Sequence, residues 1–150
     1  MRYASIRSTD ISNGEGIGVS LFVQGCSRHC PGCFNSSTWD FNAGNEWTEE
    51  TEKHFLELCT RPNRDFVAIL GGEPFEQGEE MIQLVKKIRA VTDKPIYMWS
   101  GYKYEDLKDG QYAEIFKYID YLIDGEFQEE KKNFNLTLRG SSNQRIIHFT

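Results

Sequence analysis

The stretch Asp65-Phe66-Val67-Ala68-Ile69-Leu70-Gly71-Gly72-Glu73-Pro74 runs apolar from Phe66 to Leu70 and then stops on a glycine pair. A continuous apolar run of this kind, ended by glycines, reads as a strand. Upstream, Thr48 is a good helix N-cap, followed by Glu49 and Glu50 where the helix dipole favours acids. Phe55, Leu58, Cys59 and Pro62 then line one side, with Pro62 just past the helix end. Further upstream, Gly18-Val19-Ser20-Leu21-Phe22-Val23 reads as a strand that delivers the chain into a cysteine-rich loop. Downstream, Met81, Leu84, Val85, Ile88 and Val91 recur at helical spacing. Lys94 to Trp99 is a third strand ended by Ser100-Gly101, and a helix carrying Ile115 and Phe116 follows. Tyr121-Leu122-Ile123 is a fourth strand stopped by Asp124-Gly125, and Arg145 to Phe149 is a candidate for the last one. The Tyr and Phe residues of 112–121 are expected to face the core. Strand and helix in alternation mean a parallel sheet built from βαβ units.

In such sheets ligands bind beyond the carboxyl ends of the strands. The unusual features all fall there: the cysteine loop, Gly71-Gly72-Glu73-Pro74, Ser100-Gly101 and Asp124-Gly125. There is no internal repeat, low-complexity tract or linker, so residues 1–150 are read as a single domain. A complete eight-fold barrel takes about 250 residues, which leaves room only for a partial barrel or a smaller α/β sheet.

The chain carries 17 Lys plus Arg against 23 Asp plus Glu, a net charge of −6, which argues against a nucleic-acid binder. Apolar and aromatic contents of 39% and 13% argue against disorder. Phe66 to Leu70 is the longest apolar run, too short to span a membrane. The start, Met1 to Arg7, lacks the apolar core of a signal peptide, and a cytoplasmic location is expected.

Cys26, Cys30 and Cys33 fall on one short loop as Cys-x3-Cys-x2-Cys, whereas Cys59 ends a helix. In a reducing compartment such a cluster reads as metal-binding or catalytic. Cys59 reads as a small buried hydrophobe. Zinc closed by a fourth ligand from His29, His54 or His148 is one alternative. The other is a four-iron cluster held by three thiolates, which leaves one iron open to a ligand. His29 reads as an exposed loop residue, and Gly14-x-Gly16-x-Gly18, which precedes its strand, as a turn.

Cys26-x3-Cys30-x2-Cys33 with Phe34 directly after it resembles the signature of radical S-adenosylmethionine enzymes, and Gly71-Gly72-Glu73-Pro74 is similar to their methionine-binding motif. Asn13-Gly14-x-Gly16 ahead of Leu21 to Cys26 resembles the glycyl-radical-enzyme activases. Four further segments are similar to one branch of them, the activators of anaerobic (class III) ribonucleoside-triphosphate reductase. They are Cys33-Phe34-Asn35-x-Ser37-Thr38-Trp39, Trp99-Ser100-Gly101-Tyr102, Asp124-Gly125-x-Phe127 and Arg139 to Arg145. The fold class read is therefore α/β, a partial (open) β/α barrel with a mostly parallel sheet.

The resemblance implies that Cys26, Cys30 and Cys33 hold a [4Fe–4S] cluster whose open iron chelates S-adenosylmethionine. It implies reductive cleavage to a 5′-deoxyadenosyl radical and hydrogen removal from a glycine of the reductase. The cofactor carries this chemistry, and no catalytic side chain is assigned. Gly32 and Phe34 are the expected adenine contacts. Gly71 and Gly72 are expected to let the backbone approach the methionine part, with Glu73 accepting from its ammonium. Ser100 is a ribose or carboxylate contact, and Asp124 a ribose contact or a helix N-cap. The expected partners are the reductase and an electron donor such as reduced flavodoxin or ferredoxin, with no nucleic acid and no membrane. Two readings compete with this one: an activase of a different glycyl-radical enzyme, and a non-catalytic zinc or Fe–S binding module. Two departures from the branch stand out. Relatives commonly carry Arg at the position of Gly18, and often Lys at that of Glu126.

Overall fold

The computed structural model describes residues 1–33, 35–133 and 135–149. Its strands are β1 (Arg2–Asp10), β2 (Gly18–Val23), β3 (Asn45–Glu46), β4 (Phe66–Gly71), β5 (Ile96–Trp99), β6 (Tyr121–Asp124) and β7 (Arg145–His148). They form one seven-stranded sheet in the order β3-β1-β2-β4-β5-β6-β7. The central pairs β2–β4, β4–β5 and β5–β6 are parallel. The flanking pairs β1–β2, β1–β3 and β6–β7 are antiparallel. The sheet is therefore mixed, with a parallel centre and antiparallel margins.

Among the described residues three α-helices accompany the sheet: α1 (Glu49–Cys59), α2 (Glu79–Val91) and the single turn α3 (Tyr104–Leu107). Thr48 caps α1, its hydroxyl accepting from the N–H of Thr51 at 3.1 Å. Thr48→Ala should lower stability by about 1 kcal/mol, read as a shift of the urea midpoint with an unchanged slope.

The apolar continuity of the central strands has a physical cause. Alternate residues of each strand point to opposite faces, and here both faces are covered. Val19, Leu21, Val67, Ile69, Ile96, Met98 and Leu122 pack with Phe55, Leu58, Leu84, Val85 and Ile88 of α1 and α2. Phe22, Phe66, Ala68, Leu70, Tyr97 and Ile123 form a second cluster on the other face, with Ala4, Trp99, Tyr121 and Leu138 packed against it. Strand-borne rings dominate this face: Tyr97 lies 4.6 Å from Tyr121 in a stacked pair and meets Phe66 edge-on at 5.7 Å.

Several details differ from the sequence expectations. β1 was not expected; it is a largely exposed strand with irregular register, so it carries no clean alternation. The expected helix around Ile115 and Phe116 is a 3₁₀ segment, Ala113–Lys117. Of the aromatic residues at 112–121, Tyr112, Phe116 and Tyr118 pack against the core partly exposed, while Ile115 and Ile119 are the buried side chains. At Gly18 a Cβ would run into the ring of Phe66. The packing of Phe66 therefore accounts for a residue without a side chain at this position.

Candidate active site

The carboxyl ends of β2, β4, β5 and β6 open onto one cavity of about 390 Å³. Cys26, Cys30 and Cys33 line it together with Gly71, Gly72, Glu73 and Ser100. The strand ends that carry these residues nearly touch. Gly72 N–H donates to Val23 O at 3.2 Å, and Glu73 N–H donates to Gly25 O at 2.8 Å. At Gly71 φ is +133°, and an added Cβ would lie 2.5 Å from Val23 N; at Gly72 it would lie 2.5 Å from Gly25 O. These two positions admit glycine alone. Gly71→Ala should cost at least about 2 kcal/mol, measurable as a lower urea midpoint.

The cysteine loop is anchored at both ends. Gly25 and Cys26 donate their N–H groups to Thr38 O at 2.7 Å and Trp39 O at 3.0 Å. Ser27 gives its N–H and hydroxyl to the two oxygens of Glu76 at 3.0 and 2.5 Å. Cys33 N–H closes a turn onto Cys30 O at 3.1 Å, and Asn35 N–H points at Cys33 Sγ at 3.4 Å. Burial raises the thiol pKa of Cys26 and of Cys30 above the ordinary value. His29, with φ +47°, stacks its ring on Trp39 at 4.5 Å and stays exposed. Cys59, the last residue of α1, is fully buried, with its thiol pushed up to about 12 by that burial.

This donor set fits an iron–sulfur cluster better than one ion. Among the described residues no three His, Cys, Asp or Glu side chains are arranged to hold a single metal ion. Thiolates that each bind a different iron of a cluster need not converge so tightly. Three soft ligands on one cavity wall suit iron–sulfur chemistry.

Glu73 is 1% exposed. Its Oε1 accepts from Gly101 N–H at 2.7 Å and its Oε2 from Phe75 N–H at 3.2 Å. Burial outweighs these bonds and one from Ser100, so its pKa is pushed up to about 7. Ser100 Oγ in turn accepts from Tyr102 N–H at 3.0 Å.

The structure does not bring every expected residue to the cavity. Asp124 lies off the lining, although its neighbour Gly125 is on it. Its Oδ2 accepts from Tyr104 N–H, the first residue of α3, at 2.7 Å, while Arg145 Nε donates to Oδ1 at 2.9 Å and Arg145 Nη2 also bonds Oδ2. Arg145 further grips Glu105 with bonds of 2.8 and 2.6 Å, which hold that carboxyl at about 2. Asp124 thus secures the start of α3 from the end of β6. Gly32 is likewise off the lining, at φ +72° against the carboxylate of Glu129. Phe34 lies outside the described residues.

Asp10 and Arg28 join the site without a sequence signal of their own. Asp10, 2% exposed, binds the hydroxyl of Ser20, both Ser12 donors and Asn13 Nδ2, fixing the loop that brings Ser12 and Asn13 to the cavity. Burial raises its pKa, but these bonds prevail and the net shift is downward. Arg28 lies over the Tyr102 ring at 4.7 Å, with Nη2 3.5 Å from Glu126. Glu126 Oε1 also stands 3.7 Å from Cys30 Sγ. The acidic residue at position 126 therefore has its counter-cation in the cysteine loop.

A family model described as a 4Fe-4S single cluster domain matches residues 12–147. That defines the class: a protein built around one [4Fe–4S] cluster. The chain is 39% identical over 156 residues to the anaerobic ribonucleoside-triphosphate reductase-activating protein of Pasteurella multocida (strain Pm70), covering 100% of this chain and 99% of that protein. The protein of the same name from Escherichia coli (strain K12) is 37% identical over 153 residues, with 99% of each chain covered. That of Enterobacteria phage T4 is 37% identical over 149 residues, covering 97% of this chain and 93% of the phage protein. The chain belongs to the family of anaerobic ribonucleoside-triphosphate reductase-activating proteins. No helix among the described residues is long and apolar enough to cross a membrane.

Proposed function

We infer that this protein activates an anaerobic ribonucleoside-triphosphate reductase by generating a radical on one of its glycines. The observation that carries the reading is the meeting of three thiols from one loop with a buried carboxylate at the ends of four parallel strands. Cys26, Cys30 and Cys33 would hold the cluster, leaving one iron open for S-adenosylmethionine. When bound, the cluster would supply the one electron for reductive cleavage of S-adenosylmethionine, the source of the radical that would take the glycine hydrogen. The chain's own residues bind and orient. Gly71 and Gly72 let the β4 end approach the methionine part. Glu73 accepts from its ammonium through a free lone pair, and Ser100 lies beside that carboxylate. Asp124, with both oxygens engaged, acts as a positioning residue for α3 and leaves the ribose to other groups.

We read the sheet, whose outermost strands are β3 and β7, as a partial, open β/α barrel of one domain. A reduced flavodoxin or ferredoxin would supply the electron, and the reaction suits an anaerobic cytoplasm. The test is anaerobic reconstitution with iron and sulfide, reduction in the presence of S-adenosylmethionine, and mixing with the reductase. A glycyl doublet in the electron paramagnetic resonance spectrum is expected. Formation of 5′-deoxyadenosine without the doublet would point to a different glycyl-radical enzyme as partner. Absence of both would return the chain to a non-catalytic metal-binding module.

A further inference from the structure

Glu126 does not line the cavity, although its neighbours Gly125 and Phe127 do. Its carboxylate faces a cluster thiol instead. Oε1 stands 3.7 Å from Cys30 Sγ, and the backbone N–H of Phe127 bonds the same sulfur. Cys26 is met by the backbone N–H groups of Arg28 and His29, and Cys33 by that of Asn35. The carboxylate therefore sets Cys30 apart from the other two thiols of the loop.

Glu126 is held from two sides. Asn143 Nδ2 donates to Glu126 O at 2.8 Å, and Gln144 Nε2 donates to Gly125 O at 3.0 Å. The buried Ser141 hydroxyl accepts from Gln128 N–H at 3.2 Å. The Arg139–Arg145 segment thus clamps the backbone before and after residue 126. From the cysteine loop, Arg28 brings Nη2 within 3.5 Å of Glu126 Oε2 and lies over the Tyr102 ring at 4.7 Å. Arg28 Nε is buried without a hydrogen-bond partner among the described residues, so the ring face and the carboxylate are what offset the guanidinium charge. Gly101 leaves the space for this arrangement, since a Cβ there would lie 2.6 Å from Arg28 Cδ.

Charges this near a cluster ligand act on the cluster. Reduction adds an electron, so an adjacent anion opposes it and an adjacent cation favours it; net charge and hydrogen bonds to sulfur are among the levers that set such potentials. We propose that Glu126 and Arg28 together set the reduction potential of the cluster through Cys30. The carboxylate lowers the potential and makes the reduced cluster a stronger donor to the sulfonium. The guanidinium limits the drop, so that an external reductant still loads the electron. The proposal rests on the cluster reading above, and it gives the Arg139–Arg145 segment the task of holding Glu126 at the sulfur.

The test is a redox titration of the reconstituted full chain without S-adenosylmethionine, followed by the electron paramagnetic resonance signal of the reduced cluster. Glu126→Gln should change the one-electron reduction equilibrium about tenfold, an upward shift of about 59 mV. Arg28→Gln should shift it downward by a similar amount, and Arg28→Lys, which keeps the charge, should stay within about twofold of wild type. The opposite signs decide the matter, because loosened packing or added water at the cluster would move both Gln variants the same way. Shifts of one sign, no shift beyond about twofold in either Gln variant, or a Lys variant that falls as far as Arg28→Gln would each overturn the proposal. If Glu126→Gln takes up no iron, the Arg28 pair decides alone: a drop in the Gln variant that Lys restores supports the assignment, and an absent or unrestored drop overturns it. A wild-type protein that yields no reducible cluster would instead sink the cluster reading, and this proposal with it.

Discussion

Cys30→Ala should lose the cluster altogether. After anaerobic reconstitution the variant should lack the broad visible absorption of iron–sulfur centres, and 5′-deoxyadenosine formation under dithionite should fall to background. The reason lies in the count of ligands at the cavity. Three thiols of one loop line it, and the neighbouring imidazole of His29 is stacked on Trp39 and exposed. Among the described residues that line the cavity, no spare thiol or imidazole stands ready to replace Cys30. Cys59→Ala is the matched control. That thiol is buried at the C-terminal end of α1, and the backbone carbonyl of Cys59 accepts from Lys94 Nζ at 2.8 Å. Its removal should cost about 1 kcal/mol through lost packing and leave the absorption spectrum unchanged. A spectrum lost in Cys59→Ala and kept in Cys30→Ala would reverse the ligand assignment.

Why Cys30 was legible from sequence and Arg28 was not is a matter of range. Cys26, Cys30 and Cys33 announce themselves because cluster ligands can sit on one loop, so their relation is written in adjacent positions. The central strands announce themselves for a different reason. Two covered faces force apolar residues at every position of β4 from Phe66 to Leu70, and a run so short and so uniformly apolar suits a buried strand better than a helix. β1 is the counterexample: it lies beyond the parallel centre, with most of its residues exposed or half-exposed, so its polar sequence resembles a loop. Arg28 meets Tyr102 and Glu126, and Gln144 meets Gly125, across long stretches of chain and largely through single side chains. Such contacts leave no period and no spacing. Asp124 shows the remaining difficulty. An acid at a strand end serves equally well as a ligand contact or as a helix cap, and only the positions of Tyr104 and Arg145 separate the two.

Glu73 should impose a pH dependence on both stability and ligand binding, and the two should run in opposite directions. In the ligand-free protein, burial holds its pKa at about 7, against an ordinary value of 4.5 for the exposed group. Below pH 4.5 the proton is bound in folded and unfolded chains alike, and the carboxyl's contribution to stability is fully present. Between about 4.5 and 7 the unfolded chain ionises while the folded one keeps its proton. Stability therefore falls as pH rises, by roughly 1.4 kcal/mol per unit and about 3 kcal/mol in all. Glu73→Gln cannot ionise, so this part of the slope in urea-derived stability between about pH 5 and 7 should vanish. Binding is governed by the same charge. An ammonium at the carboxylate favours its ionised form, so S-adenosylmethionine should bind more tightly as pH rises towards 7 and should release a proton on binding near about pH 6. Calorimetry in buffers of different ionisation heat should detect that proton in the wild type and not in Glu73→Gln. The variant should bind S-adenosylmethionine roughly 10- to 100-fold more weakly, through the loss of one charge-assisted bond. If instead the variant binds as tightly as the wild type, with no change in proton release, Glu73 joins the strand ends through Gly101 and Phe75 alone, and the ammonium is recognised elsewhere on the cavity wall.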